Sequence, residues 1–247
     1  MKKLRSIAVT LIVFTALGAM MASDLYVPTE RERPIAVVKR FKPVVVLANA
    51  TDSVYTLKIE ENTGERLFSG DTLTTESDGY ALVIFSNDGS VAKVKPDSRL
   101  VVRGESIADS KISDRRIDLE QGEIYLEMEP QGSATFEVST SRSLASVKGT
   151  KFGNRAMGYV WVDEGQVDLT ATNSGQTISL FEKMYGQVDD GGNGVQSGTL
   201  SDDELNDLNS EYDQLDEDYV EKTIQIQFRD ANGQIRTVEV EIFEKGN

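Results

Sequence analysis

One stretch has the residue types of a serine acyl-enzyme. Ser90-Val-Ala-Lys93 fits S-x-x-K, where a lysine sits one helical turn from a serine nucleophile. Ser86-Asn-Asp88 and Lys148-Gly-Thr150 look like permuted companions of it. Their order and spelling both depart from that pattern, and Ser90 follows a turn instead of opening a helix. Gly192-Asn-Gly194-Val-Gln-Ser197 misses G-x-G-x-x-G at its last glycine and has no strand–helix context, so it is no dinucleotide fingerprint. Hard oxygen ligands gather at Asp189–Asn193, a loop that could take Ca²⁺, although its spacing fits no EF-hand. Two carboxylates could do glycosidase work, but nothing in the sequence selects a pair. The reading therefore assigns no catalytic, cofactor-binding or metal-binding residue, and no cofactor.

Composition narrows the chemistry further. The 247-residue chain has no His and no Cys, which excludes an imidazole base, a thiolate nucleophile, a disulfide and a zinc–sulfur site. With 26 Lys+Arg against 41 Asp+Glu, the net charge of −15 argues against nucleic acid as a partner.

The elements that would position any site follow from patterning. Lys2, Lys3 and Arg5 precede an uncharged 16-residue run, Ile7–Ala22, read as a signal peptide or signal anchor over 1–22. Either reading exports the remainder, and retention of 7–22 would anchor it in the membrane. Residues 23–34 read as a charged linker with two prolines. From 35 to 188 short alternating runs separated by Gly, Asn, Asp and Ser predict an all-β domain. They include Tyr55–Ile59, Tyr80–Phe85, Tyr159–Val162 and Ile178–Phe181, with a hairpin turn at Asn87-Asp88-Gly89. Trp161 reads as core. Ile117–Leu126 and Val160–Leu169 share one spacing, a strand, a Gly-centred bend and a second strand, as expected of stacked β layers.

Three of the 26 cations lie within 1–22, so the rest of the chain carries −18. Twelve acidic residues and no basic one fall between Asp189 and Glu221. This acidic stretch, 189–221, opens with a Gly-rich loop. Ser201-Asp-Asp-Glu204 then reads as a capping box, and Leu205, Leu208, Tyr212, Leu215 and Tyr219 form one apolar stripe. The stripe predicts a helix docked on the β domain. Residues 222–247 predict a hairpin, with Ile224, Ile226 and Phe228 on one strand, Val238, Val240 and Ile242 on the other, and Asp230–Gly233 as the turn.

A series of motifs runs through the β region. Leu67-Phe-Ser-Gly70-Asp71-Thr-Leu-Thr-Thr75 is followed by Asp78-Gly79-Tyr-Ala-Leu-Val-Ile-Phe85, then Asp88-Gly89-Ser90 and Lys95-Pro-Asp-Ser98. Leu119-Glu-Gln-Gly122, Phe136-Glu-Val-Ser-Thr140, Ser146-Val-Lys-Gly149-Thr150-Lys-Phe152 and Val160-Trp-Val-Asp-Glu-Gly165-Gln-Val167 complete it. In order and spacing these resemble the FecR family. The resemblance implies an extracytoplasmic all-β domain, solenoid-like or sandwich. In founding members that domain senses an outer-membrane receptor and regulates a sigma factor through a cytoplasmic segment ahead of one transmembrane helix. Here six residues precede the apolar run, so the expectation is a stand-alone, non-enzymatic envelope module without that segment. Its expected partner is an envelope protein or glycan. The competing readings are a Ca²⁺-binding structural or adhesive envelope protein and a carboxylate-based hydrolase.

Overall fold

The computed structural model describes residues 33–50, 53–86, 88–105, 113–128, 136–147, 149–212, 219–229 and 233–245. The N-terminal stretch 1–22, the linker residues 23–32, Asn87, Lys148, Leu215 and the turn residues 230–232 lie outside the described residues.

Alternating side chains put one face of each strand into a common interior. The first of two nine-stranded sheets contains β1 (Ala36–Lys42), β4 (Glu65–Leu67), β6 (Tyr80–Phe85), β7 (Val91–Val94), β10 (Glu123–Glu127), β13 (Lys151–Arg155), β14 (Tyr159–Glu164), β17 (Met184–Val188) and β18 (Val195–Thr199). The second contains β2 (Val45–Ala48), β3 (Val54–Thr56), β5 (Thr72–Thr75), β8 (Arg99–Glu105), β9 (Ser113–Gln121), β11 (Phe136–Ser139), β12 (Ser143–Val147), β15 (Gln166–Ala171) and β16 (Thr177–Phe181). The first runs β18-β17-β14-β13-β10-β7-β6-β1-β4 and the second β16-β15-β12-β11-β9-β8-β5-β2-β3. The chain lays one or two strands on one sheet, crosses to the other and repeats, so both sheets lengthen in step. The fold is thus a sandwich wound like a solenoid. Pairing is antiparallel except between β9 and β11, which run parallel because the single strand β10 intervenes on the other sheet. One apolar core fills the space between the sheets, with Phe85 and Phe136 meeting edge to face at 4.9 Å across it.

The two sequence copies turn out to be crossings. Ile117–Leu126 passes from β9 to β10, second sheet to first. Val160–Leu169 passes from β14 to β15, in the opposite direction. Their glycines, Gly122 and Gly165, have φ of 83° and 91°, a region costly for any residue with a Cβ. Each lets a neighbouring crossing come close. Ser98 Oγ donates to the Glu123 carbonyl at 3.3 Å and accepts from its N–H at 3.1 Å. In the other copy Thr150 Oγ1 donates to the Gln166 carbonyl at 2.9 Å. Ser98 with Gly122-Glu123, and Thr150 with Gly165-Gln166, are therefore two pairs of adjoining corners of the fold.

Local details differ from the sequence expectations in three places. The run ending at Ile59 stops as a strand at Thr56 and continues into a short helix, α1 (Ile59–Asn62), where Thr63 Oγ1 donates to the Ile59 carbonyl. Val195–Thr199, within the Gly-rich stretch, pairs with β17 as the last strand of the first sheet. The acidic helix, α2 (Asp202–Asn209), is shorter than its stripe predicts. It starts at the expected capping box, but Tyr212 lies in the turn that follows it, its N–H bonded to the Asn209 carbonyl, and Tyr219 opens β19 (Tyr219–Arg229). β19 pairs with β20 (Ile235–Lys245) as the expected hairpin, a sheet of its own. No helix among the described residues is long and apolar enough to cross a membrane.

Candidate functional site: a groove beside the acidic helix

The outer face of the first sheet is covered where α2 lies. On β14, Val160 and Val162 point into the sandwich while Trp161 points outward, yet all three are fully buried. A strand buried on both faces has an element on each side. Trp161 lies flat over Gly153, where a Cβ would come within 1.9 Å of the indole. Above it, the Trp161 indole N–H donates to Asn209 Oδ1 at 2.9 Å, at the end of α2. Leu205 and Tyr212 complete this second apolar cluster with Tyr125, and Tyr159 stacks on Tyr185 beside it at 5.5 Å. An eight-residue helix is unstable alone, so this docking is what holds it. The buried leucine contributes about 1.5–3 kcal/mol and the cap about 1 kcal/mol.

Next to this cluster, between α2 and the sheet crossings, lies an open groove of about 1060 Å³. Tyr80, Tyr159, Met157 and Leu208 form its apolar lining, and Asp97 and Asp207 also line it. Its charged centre is Glu123, the residue after the Gly122 crossing. Glu123 accepts from Lys95 Nζ at 2.7 Å, from the Arg155 guanidinium, and from the Tyr212 hydroxyl at 2.9 Å. Lys95 also reaches Glu211 at 3.0 Å and lies over the Tyr212 ring. Arg155 stacks against both Tyr159 and Trp161. Burial alone would raise the Glu123 carboxyl, but the bonds from Lys95 and Arg155 outweigh it and hold the group below its ordinary value. Burial, then the Glu123 charge, push the Tyr212 phenol well above its ordinary value. Burial and the bond to Asp163 do the same for Tyr125.

This arrangement offers shape, aromatic faces and fixed charge. Lys95, Arg142 and Arg155 each hold a carboxylate, and the two buried phenols stay protonated at neutral pH.

The residues singled out from sequence lie elsewhere. Ser90 is buried, and its hydroxyl donates to Asp88 Oδ2 at 2.7 Å. Lys93 instead pairs with Glu127 at 2.6 Å, so the S-x-x-K residues have separate partners. Asp88 also holds the buried Arg115 of β9, which clamps the β6–β7 turn to the second sheet. Asp189 folds its own loop: Oδ1 accepts from the Asn193 N–H at 2.9 Å and Oδ2 from Gly194 at 2.7 Å. Asp190 pairs with Arg142. No group of three or more acidic residues among the described residues is arranged to hold a metal ion. Asp71, at the start of the motif series, ties two neighbouring segments together by accepting from the Ala50 and Phe68 N–H groups.

Sequence reasoning missed the Glu123 network because its members come from four separate elements. The one available signal was Tyr212, an aromatic in an acidic stretch.

Residues 71–168 match the model of the FecR protein family. Two solved structures of a "putative anti-sigma factor" from Parabacteroides distasonis ATCC 8503 resemble the chain at 16% identity, with TM-scores of 0.46 and 0.45. In both cases the likeness covers 54% of this chain and 62% of the other. Among curated proteins, none matches. The motif series and the wound sandwich it specifies coincide with the family match, so the FecR likeness is that of residues 71–168.

Proposed function

We propose that this chain is an extracytoplasmic, non-enzymatic binding module of the cell envelope that takes its partner, a protein or glycan, in the groove between α2 and the first sheet. The observation that carries this reading is the Glu123 network. A buried carboxylate held by Lys95, Arg155 and Tyr212 fixes the groove floor as a rigid, charge-balanced surface. The basic n-region and apolar run at the N-terminus support export. The match to the FecR family supports a sensing role.

A photo-crosslinking residue at Asp207, in the groove, tests the reading against one at Thr177, on an edge strand of the second sheet and outside the groove lining. In intact envelopes the Asp207 probe is expected to capture one defined partner and the Thr177 probe none. Purified full-length chain is expected to leave peptidoglycan and peptide libraries uncleaved. Capture at both positions alike, or turnover of either substrate that the Glu123→Gln variant loses, would overturn the proposal.

A further inference from the structure

The loop between β17 and β18 carries one of the chain's two Asn-Gly pairs, Asn193-Gly194; the other is Asn232-Gly233. Such a pair is open to deamidation, because glycine puts no side chain between its own nitrogen and the asparagine amide. The Gly194 nitrogen would give up its proton and bond to Asn193 Cγ, and ammonia would leave with that proton. Water then opens the ring at either carbonyl and leaves aspartate or isoaspartate. Asn193 is exposed, so water reaches it.

The fold both requires this pair and restrains it. Asp189 Oδ2 accepts from the Gly194 N–H at 2.7 Å, and Oδ1 from the Asn193 N–H at 2.9 Å. A Cβ at 194 would stand 3.0 Å from Asp189 Oδ2, tighter than ordinary contact, so this turn favours glycine there. Asn193 Nδ2 donates to the Gly191 carbonyl at 3.0 Å, which ties the leaving amide as well. The loop is anchored in turn. Asn173 donates its N–H to the Gly192 carbonyl at 2.9 Å and its side-chain amide to the Gly191 carbonyl at 2.6 Å. The backbone bond from Asn193, then that from Gly194, hold the Asp189 carboxyl below its ordinary value, so it is charged at neutral pH. A negative charge bonded to the Gly194 N–H opposes loss of that proton. The anchored backbone opposes the rotation that would bring the nitrogen to Cγ.

We propose that Asn193 is a deamidation site latched shut by Asp189, which holds the attacking Gly194 nitrogen protonated and out of reach in the folded chain. Where the latch is lost, the product sets a second carboxylate beside Asp189 and forfeits the bond to Gly191, loosening the loop that leads into the edge strand β18.

Peptide mapping by mass spectrometry, on full-length chain incubated at neutral pH, reads the rate at both pairs. The chain unfolded in urea gives the unrestrained rate. Folded chain is expected to lose the Asn193 amide at least about tenfold more slowly, the scale of one hydrogen bond to a charged acceptor. Asp189→Ala is expected to raise the folded rate at Asn193 about tenfold and to leave that at Asn232 unchanged. Asp189→Asn, which keeps one of the two acceptor oxygens, is expected to fall between. Trp161 emission checks that each variant is folded. Folded chain that deamidates Asn193 at the unfolded rate or faster would overturn the proposal, the faster case making Asp189 a base instead of a latch. So would Asp189→Ala chain as slow at Asn193 as the native one, or one in which Asn232 speeds up equally.

Discussion

The Tyr212 hydroxyl donates to Glu123 Oε1 at 2.9 Å across 89 residues of sequence. One bond thus joins the turn after the acidic helix to the charged floor of the groove. Tyr212→Phe keeps the ring against Tyr125 and removes only the hydroxyl. It is expected to lower stability by about 1.5 kcal/mol, the scale of a hydrogen bond to a charged acceptor, in urea unfolding.

Asp88 and Glu123 set an acid limit. Burial works against both charged forms, yet hydrogen bonds from Arg115 and Ser90 in one case and Lys95 and Arg155 in the other hold both carboxyls below their ordinary values of 3.8 and 4.5. Each therefore binds fewer protons folded than unfolded. Their contribution is fully present above those ordinary values and is lost as pH falls through the lower folded ones. Unfolding midpoints are expected to be flat from neutrality down to about pH 5 and to fall steeply below it. In Glu123→Gln that fall is expected to be shallower, from a lower starting stability.

The crossings predict an order of sensitivity to alanine. Gly175 has φ of 74° and nothing within 4 Å of a Cβ, so Gly175→Ala is expected to cost about 1 kcal/mol from backbone conformation alone. At Gly165 the Gly149 carbonyl would stand 3.0 Å away, and at Gly122 the Ser98 Oγ would stand 2.1 Å away. Losses of about 2 kcal/mol for Gly165→Ala and at least about 3 kcal/mol for Gly122→Ala are expected in denaturant melts.

The same glycines show what the sequence carried. Period-two alternation and Gly-centred bends are local, so the strands, the capping box at Ser201 and the hairpin could be read directly. The equal spacing of Ile117–Leu126 and Val160–Leu169 was visible, but that the bends pass between sheets in opposite directions depends on partners far along the chain. Trp161 was rightly expected to be buried. Its place on the outer face under α2 was not legible, because alternation says that Val160 and Trp161 face apart and not which element covers each. The end of α2 depends on Asn209 meeting that indole, again a distant contact. Nothing local marks Glu123, Lys95 and Arg155 out from the other charges of the β region until the fold brings them together.

Docking of α2 over the first sheet makes the groove wall. Trp161 is the chain's one tryptophan, fully buried beneath α2, so its emission reports the docking directly. Acrylamide quenching of Trp161 in the native chain and in Leu205→Asp, which puts a charge into the docked cluster, is the most direct measurement. The expected result is a blue-shifted, weakly quenched native signal that becomes red-shifted and readily quenched in Leu205→Asp, with the strand circular dichroism unchanged. A native Trp161 already open to quencher, or one equally shielded in Leu205→Asp, would contradict the account.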